Sequence, residues 1–152
     1  MNPSTDTYLL PLGGINWPEA LASWAFLLPR RFSLLFANRF GDVFIVQEDG
    51  SVHMLNLATG TLDRLADKLE DFADLLEVDV LRQNWLLTNL VDRCIEAGLI
   101  LKPGEVYSYK VPPSLGGAME LDNVEIMPAA DHYHAMAEIQ LMLDELPPDA
   151  TP

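Results

Sequence analysis

Apolar positions along the chain alternate between helical and strand-like periods. Trp17, Ala20, Leu21, Trp24 and Leu28 recur every three or four residues, which puts the aromatic pair on one buried stripe of a helix over 17–28. Asn16, with Glu19 three residues on and Pro18 in the first turn, is an N-cap signature, and Pro29 ends the helix. From Phe40 the period changes, and Val43-Phe44-Ile45-Val46, apolar on both faces, reads as an interior strand. Asp49-Gly50 signals a two-residue hairpin with both turn residues at positive φ, after which Val52 to Leu57 returns as the partner strand. Ala58-Thr59-Gly60 turns the chain again, and Thr61 to Ala66 completes an antiparallel meander.

Asp67 with Glu70 repeats the capping-box pattern and opens a helix whose Leu69, Phe72, Ala73 and Leu76 face inward. A single helix from Leu62 also fits the spacing of Leu62, Leu65 and Leu69. Residues 80–97 form the clearest helix, with Leu81, Trp85, Leu87, Leu90, Val91, Cys94 and Ile95 on one broad side and Gly98 as its stop. Pro103-Gly104 turns into an alternating strand over 105–111, and Asp131 caps a last helix that stacks His132, Met136, Ile139 and Leu143. The expected fold is α+β: a mainly antiparallel sheet, the meander over about 40–66 plus a strand near 105–111, flanked by helices near 17–28, 68–77, 80–97 and 131–145. One domain over 1–146 with a short N-terminal helical extension is expected, then a mobile tail over 147–152.

Composition sharpens the functional reading. With 152 residues, 49% hydrophobic and 21% charged, the chain has the make-up of a globular domain and needs no disulfide or metal staple. Its net charge of −14 repels nucleic acid phosphates and anionic lipid, which argues against direct binding of either. Of the 23 acids only Asp6 and Glu19 lie within residues 1–39; the other 21 lie downstream, most densely over 63–79, where Glu70, Asp71, Asp74 and Glu77 share one helix face. Such a face serves solubility or attracts a basic partner. The single cysteine, Cys94, fits a reducing compartment and a core position, and the chain shows neither a signal-peptide pattern nor a spanning apolar run. A cytoplasmic protein is expected.

No catalytic constellation emerges. Asp131-His132-Tyr133-His134 is the one cluster with metal-ligand chemistry, but on a helix the two imidazoles point about 200° apart and share no ion. Asp71 and Asp74 lack the burial that would tune one of them as an acid. Gly13-Gly14 carries neither the spacing nor the lysine of a phosphate loop, and Ser114 has no identifiable base. No cofactor is implied. The stretch Pro112-Pro113-Ser114-Leu115-Gly116-Gly117 combines restricted prolines with permissive glycines and is expected to hold a fixed loop shape.

Three stretches carry a family resemblance: Leu28-Pro29 leading to Phe40-Gly41-Asp42-Val43-Phe44 and Asp49-Gly50; Gly98 to Tyr107 with Pro103-Gly104; and Pro112-Pro113-x-Leu115-Gly116-Gly117 followed by the His132 segment. Over about residues 26–146 the chain is similar to the C-terminal domain of the Tdi immunity proteins of bacterial type VI secretion systems, a family resembling the broader SUKH immunity superfamily. The resemblance implies an α+β domain that binds and neutralises a toxin, the Tdi members guarding their own cell from a DNase effector. Longer members carry a further N-terminal domain, and Glu138 stands where the family commonly has Gln. On this reading Glu70, Asp71, Asp74 and Glu77 attract a basic toxin, while Pro112, Pro113, Leu115, Gly116 and Gly117 supply the shape-specific contact. A generic interaction module and a metal-dependent enzyme are the alternatives.

Overall fold

In a computed structural model, which describes residues 5–145, the expected α+β architecture is realised as a four-stranded antiparallel sheet, a separate two-stranded sheet and five α-helices. Helix α1 spans Trp17–Ala22; strands β1 to β4 are Phe32–Ala37, Val43–Gln47, Val52–Asn56 and Thr61–Ala66. Helices α2 to α4 follow at Leu69–Leu76, Asp79–Leu86 and Thr88–Glu96, then β5 at Glu105–Tyr109, β6 at Val124–Pro128 and α5 at Ala129–Glu145. The expected tail over 147–152 lies outside the described residues.

The meander gains a strand. β1 was not anticipated, because Phe-Ser-Leu-Leu-Phe-Ala alternates poorly; it forms the edge of the order β1-β2-β3-β4, with a bulge between Leu34 and Phe36 that absorbs the irregular pattern. The β2–β3 turn differs from a two-residue hairpin. Gln47 and Ser51 close the ladder, Gly50 donates its N–H to the Gln47 carbonyl, and Gly50 but not Asp49 takes positive φ. That is a three-residue loop, and the Asp49 carboxylate steadies it by accepting from the Ser51 N–H. Thr61–Ala66 is a strand, so the single helix from Leu62 does not form.

Three helices depart from their sequence pattern. α1 stops at Ala22, and tighter turns carry the chain to Leu28, with Trp24 bonding back to Leu21 and Leu27 to Trp24. These turns swing the Trp24 ring inward, where its Nε1–H donates to the Tyr133 carbonyl of α5. Asp67 does not cap α2. Lys68 occupies that position without a side-chain bond, and the Asp67 carboxylate instead accepts from the Arg64 guanidinium. On α2 Phe72 is buried against the Phe36, Phe44 and Trp85 rings and Leu75 and Leu76 pack half-buried against the same cluster, whereas Leu69 is 48% exposed and Ala73 is exposed too. The expected helix over 80–97 is broken at Leu87, the only described non-glycine residue with positive φ (53°). Beyond the break, the Gln83 side-chain oxygen accepts from Asn89 N–H and the Thr88 hydroxyl, so the first helix caps the second. Ile95 consequently turns outward while Leu90, Val91 and Cys94 stay buried.

The strand near 105–111 shortens to β5 and leaves the main sheet. It pairs with β6, while Lys110 and Val111 turn away to bond Asn123. α5 begins at Ala129, where the main-chain N–H bonds the Gly104 carbonyl, so Asp131 sits exposed in the first turn and caps nothing. Its inward side carries His132, Tyr133, Met136, Ala137 and Gln140. Two apolar clusters result, one around Phe44, Phe72 and Val91 and the other around Trp24, Leu55 and Tyr133. The β2–β3 hairpin feeds both clusters, because alternate residues of a strand point to opposite faces.

Candidate functional site

The Phe40-Gly41-Asp42 stretch forms a buried turn that the rest of the molecule closes upon. Asn38 organises it: its Oδ1 accepts from the N–H groups of Phe40 and Asp42, each at 3.0 Å, and its Nδ2 donates to Asp42 Oδ2 and the Trp85 carbonyl, each at 2.9 Å. The other Asp42 oxygen accepts from Leu57 N–H at 2.9 Å. Burial pushes the Asp42 carboxyl up to about 6, against the opposing pull of those two donors.

α5 clamps the same turn from the other side. His132 Nε2 lies 2.9 Å from the Phe40 carbonyl, an acceptor only, so Nε2 carries the proton and Nδ1 accepts from the Ser108 hydroxyl at 2.9 Å. Desolvation holds this imidazole down to about 4, so it is neutral at pH 7. The Tyr133 hydroxyl donates to the Gly41 carbonyl at 2.5 Å. Gly41, at φ 88°, is required: a Cβ would meet His132 Cδ2 at 3.1 Å and Leu57 Cδ1 at 3.2 Å. Two stretches separated by some ninety residues in sequence, Phe-Gly-Asp and the His132 segment, are thus one hydrogen-bonded unit.

The Pro112–Gly117 loop folds over this unit with a defined shape, as its composition suggests. Pro113–Leu115 is one turn of 3-10 helix, and the N–H groups of Leu115 and Gly117 both bond the Pro112 carbonyl. Asn123 fastens the base of the loop, accepting from Val111 N–H and donating to the carbonyls of Val111 and Ala118. The Ser114 hydroxyl donates to the Ala58 carbonyl and accepts from Gln140 Nε2, tying the loop to the β3–β4 turn and to α5. Replacing Gly117 by alanine is expected to cost about 1–3 kcal/mol in urea unfolding, because its Cβ would fall 1.7 Å from the Val111 carbonyl oxygen. Unchanged stability would show that the loop moves aside freely.

Between the loop and the turn lies a cavity of about 100 Å³. Asp42, Tyr109 and His132 line its inner part, and Thr59, Asn84 and Met119 frame its exposed mouth. Tyr109 is 5% exposed, stacks on Phe40, and its hydroxyl is the one buried side-chain polar atom without a hydrogen-bond partner among the described residues. Desolvation raises that phenol above its ordinary value.

The sequence-predicted residues fall in two places. Pro112, Pro113, Leu115, Gly116 and Gly117 form the loop at the cavity, with Pro113 in its wall and Leu115 exposed. Glu70, Asp71 and Asp74 are exposed on α2 and Glu77 at its C-terminal cap, linked to the cavity through α3, where Trp85 stacks on Phe72 and Asn84 reaches the mouth. Cys94 is buried, and desolvation pushes its thiol up to about 11. His134 lies on the exposed face of α5, 3.0 Å from Glu138, whereas the buried glutamine of that helix is Gln140. Among the described residues, no group of three or more His, Cys, Asp or Glu is placed to hold a metal ion, and no helix is long and apolar enough to cross a membrane. Asn38 and Tyr109 were not singled out in sequence, and Asp42 was marked only as part of the Phe40-Gly41-Asp42 stretch, without a role; the Asn-x-x-Gly-Asp spacing of a side-chain-stabilised turn was the available signal for Asn38 and Asp42.

Residues 66–140 match a family model described as T6SS immunity protein Tdi1, C-terminal. The span runs from the end of β4 into α5; it includes the acidic helix, the Pro112–Gly117 loop and His132, and it leaves out Asn38–Asp42. No curated protein matches the chain.

Proposed function

With residues 66–140 belonging to the T6SS immunity protein Tdi1 C-terminal family, we propose that this protein binds and neutralises a toxin delivered by type VI secretion, a DNase effector, and that it does so in the cytoplasm by occlusion and without chemistry of its own. A nuclease must present a basic surface to DNA, and a compact body of net charge −14 competes for that surface. Glu70, Asp71, Asp74 and Glu77 on α2 supply long-range attraction, while the Pro112–Gly117 loop, with Pro113 and Leu115 at its apex, supplies the contact that depends on shape. The family match carries this reading; the charge distribution supports it.

The reading predicts a toxin gene beside this one, and co-expression with its product tests it. Protection of the host cell is expected, together with binding whose association rate falls as salt screens the charges. Converting all four α2 acids to their amides should slow association by about tenfold at low salt and leave dissociation nearly unchanged. A chain that fails to protect against that toxin overturns the proposal.

A further inference from the structure

We propose that the cavity beneath the Pro112–Gly117 loop is the receptor for a lysine side chain of the partner, whose ammonium sits between the Asp42 carboxylate and the Tyr109 hydroxyl oxygen. This rests on the immunity reading for the identity of the partner, but the site itself stands on its own geometry. Only two of the roughly four acceptor positions of the Asp42 carboxylate are used, by Asn38 Nδ2 and Leu57 N–H, both neutral donors. Tyr109 lines the same cavity, nine-tenths buried, and its hydroxyl is unpartnered, a cost that an incoming donor reduces by engaging the oxygen. Leu57, Leu87, Met119 and Met136 form apolar walls suited to a four-carbon stem. A space of about 100 Å³ favours a compact ammonium over the wider planar guanidinium. In so enclosed a place a carboxylate and a cation attract far more strongly than on the surface.

The groups facing Asp42 are Tyr109 from β5 and His132 and Tyr133 from α5. All three are neutral at pH 7, since burial raises both phenols and lowers the imidazole. Occupancy by a cation therefore follows the ionisation of Asp42. Because the empty site holds that carboxyl at about 6, binding should weaken about tenfold between pH 7.5 and pH 5.

The test uses n-butylammonium as a probe of the full chain, with n-butanol as its neutral counterpart, followed through the amide resonances of Leu57, Thr59 and Tyr109. Saturable shifts with butylammonium in the millimolar range, absent with butanol, are expected. Tyr109→Phe should weaken them several-fold, Asp42→Asn should abolish them, and Met119→Trp should block the mouth. Tyr109→Phe and Met119→Trp keep the test decisive if Asp42→Asn fails to fold. Equal shifts with butanol, or no saturation, would mean that the cavity holds water or apolar groups only and would overturn the inference. In the co-expression assay, full protection by Met119→Trp would overturn this anchor and leave the immunity reading standing. Butylammonium binding by a chain that protects against no toxin would do the reverse.

Discussion

Truncating Trp24 to alanine should lower stability by about 3–5 kcal/mol, read as a fall in the urea midpoint with an unchanged slope. Its side chain has 0% exposure, stacks on Phe26 with ring centroids 5.4 Å apart, and donates from Nε1 to the Tyr133 carbonyl at 3.0 Å. The substitution removes a large apolar volume and a buried hydrogen bond together, at the seam where the α1 segment meets α5. Trp17 is the control. Its ring meets the edge of Tyr133 at 5.9 Å but stays partly exposed, and its Nε1–H bonds only the nearby Leu12 carbonyl. Trp17→Ala should cost about 1 kcal/mol, and equal losses at the two positions would contradict the packing described. Because Tyr133 also holds the Gly41 carbonyl, loosening α5 at Trp24 should broaden resonances around the Asp42 turn as well.

The second large effect is a pair of opposed pH dependences. Asp42, held at about 6 by burial, binds more protons in the folded than in the unfolded chain, so its contribution is greatest below about pH 4 and is lost as pH rises through 6. His132, held at about 4, binds fewer protons when folded; its contribution is present above about pH 6.5 and is lost as pH falls toward 4. Each is worth about 3 kcal/mol across its window, and in the native protein the two slopes largely cancel. Asp42→Asn should therefore gain stability with rising pH between about 4 and 6.5 relative to the parent, and His132→Gln should lose it. Urea unfolding at several pH values in that range measures the differences. Parallel curves for the parent and both variants would show that neither group titrates as its burial requires.

Much of the fold was legible because burial leaves a periodic trace. Phe44, Ile45, Val52 and Leu55 announced two central strands, and Leu90, Val91 and Cys94 announced a buried helical stripe. The departures from periodicity share a cause. The break at Leu87 interrupts no hydrophobic period, so a continuous helix and two helices read alike; what distinguishes them is Gln83 reaching forward to cap the second. Asp67 carried the spacing of a capping residue, yet Arg64 offered its carboxylate a charged partner on the adjoining strand. β1 was missed because an edge strand with a bulge is half-buried on both sides and shows no clean alternation.

The candidate site was legible in its parts but not in its assembly. Charge placement and the Pro112–Gly117 composition marked two surfaces, and the resemblance marked Phe40-Gly41-Asp42 and the His132 segment. None of these showed that the Asp42 carboxyl is buried, that His132 is spent on the Phe40 carbonyl, or that Tyr109 has an unpartnered hydroxyl.

By itself the sequence determined the α+β class, the buried place of Cys94, the acidity of α2 and the match of residues 66–140 to a family model, since each depends on residue type and short-range spacing. Only the tertiary structure decided where the chain ends its helices, which glycines are indispensable, and that a turn, a loop and a helix far apart in sequence enclose one small cavity. The reason is physical: periodicity reports which side of an element avoids water, whereas the partner of a buried polar group is chosen by packing between elements, on which local spacing is silent.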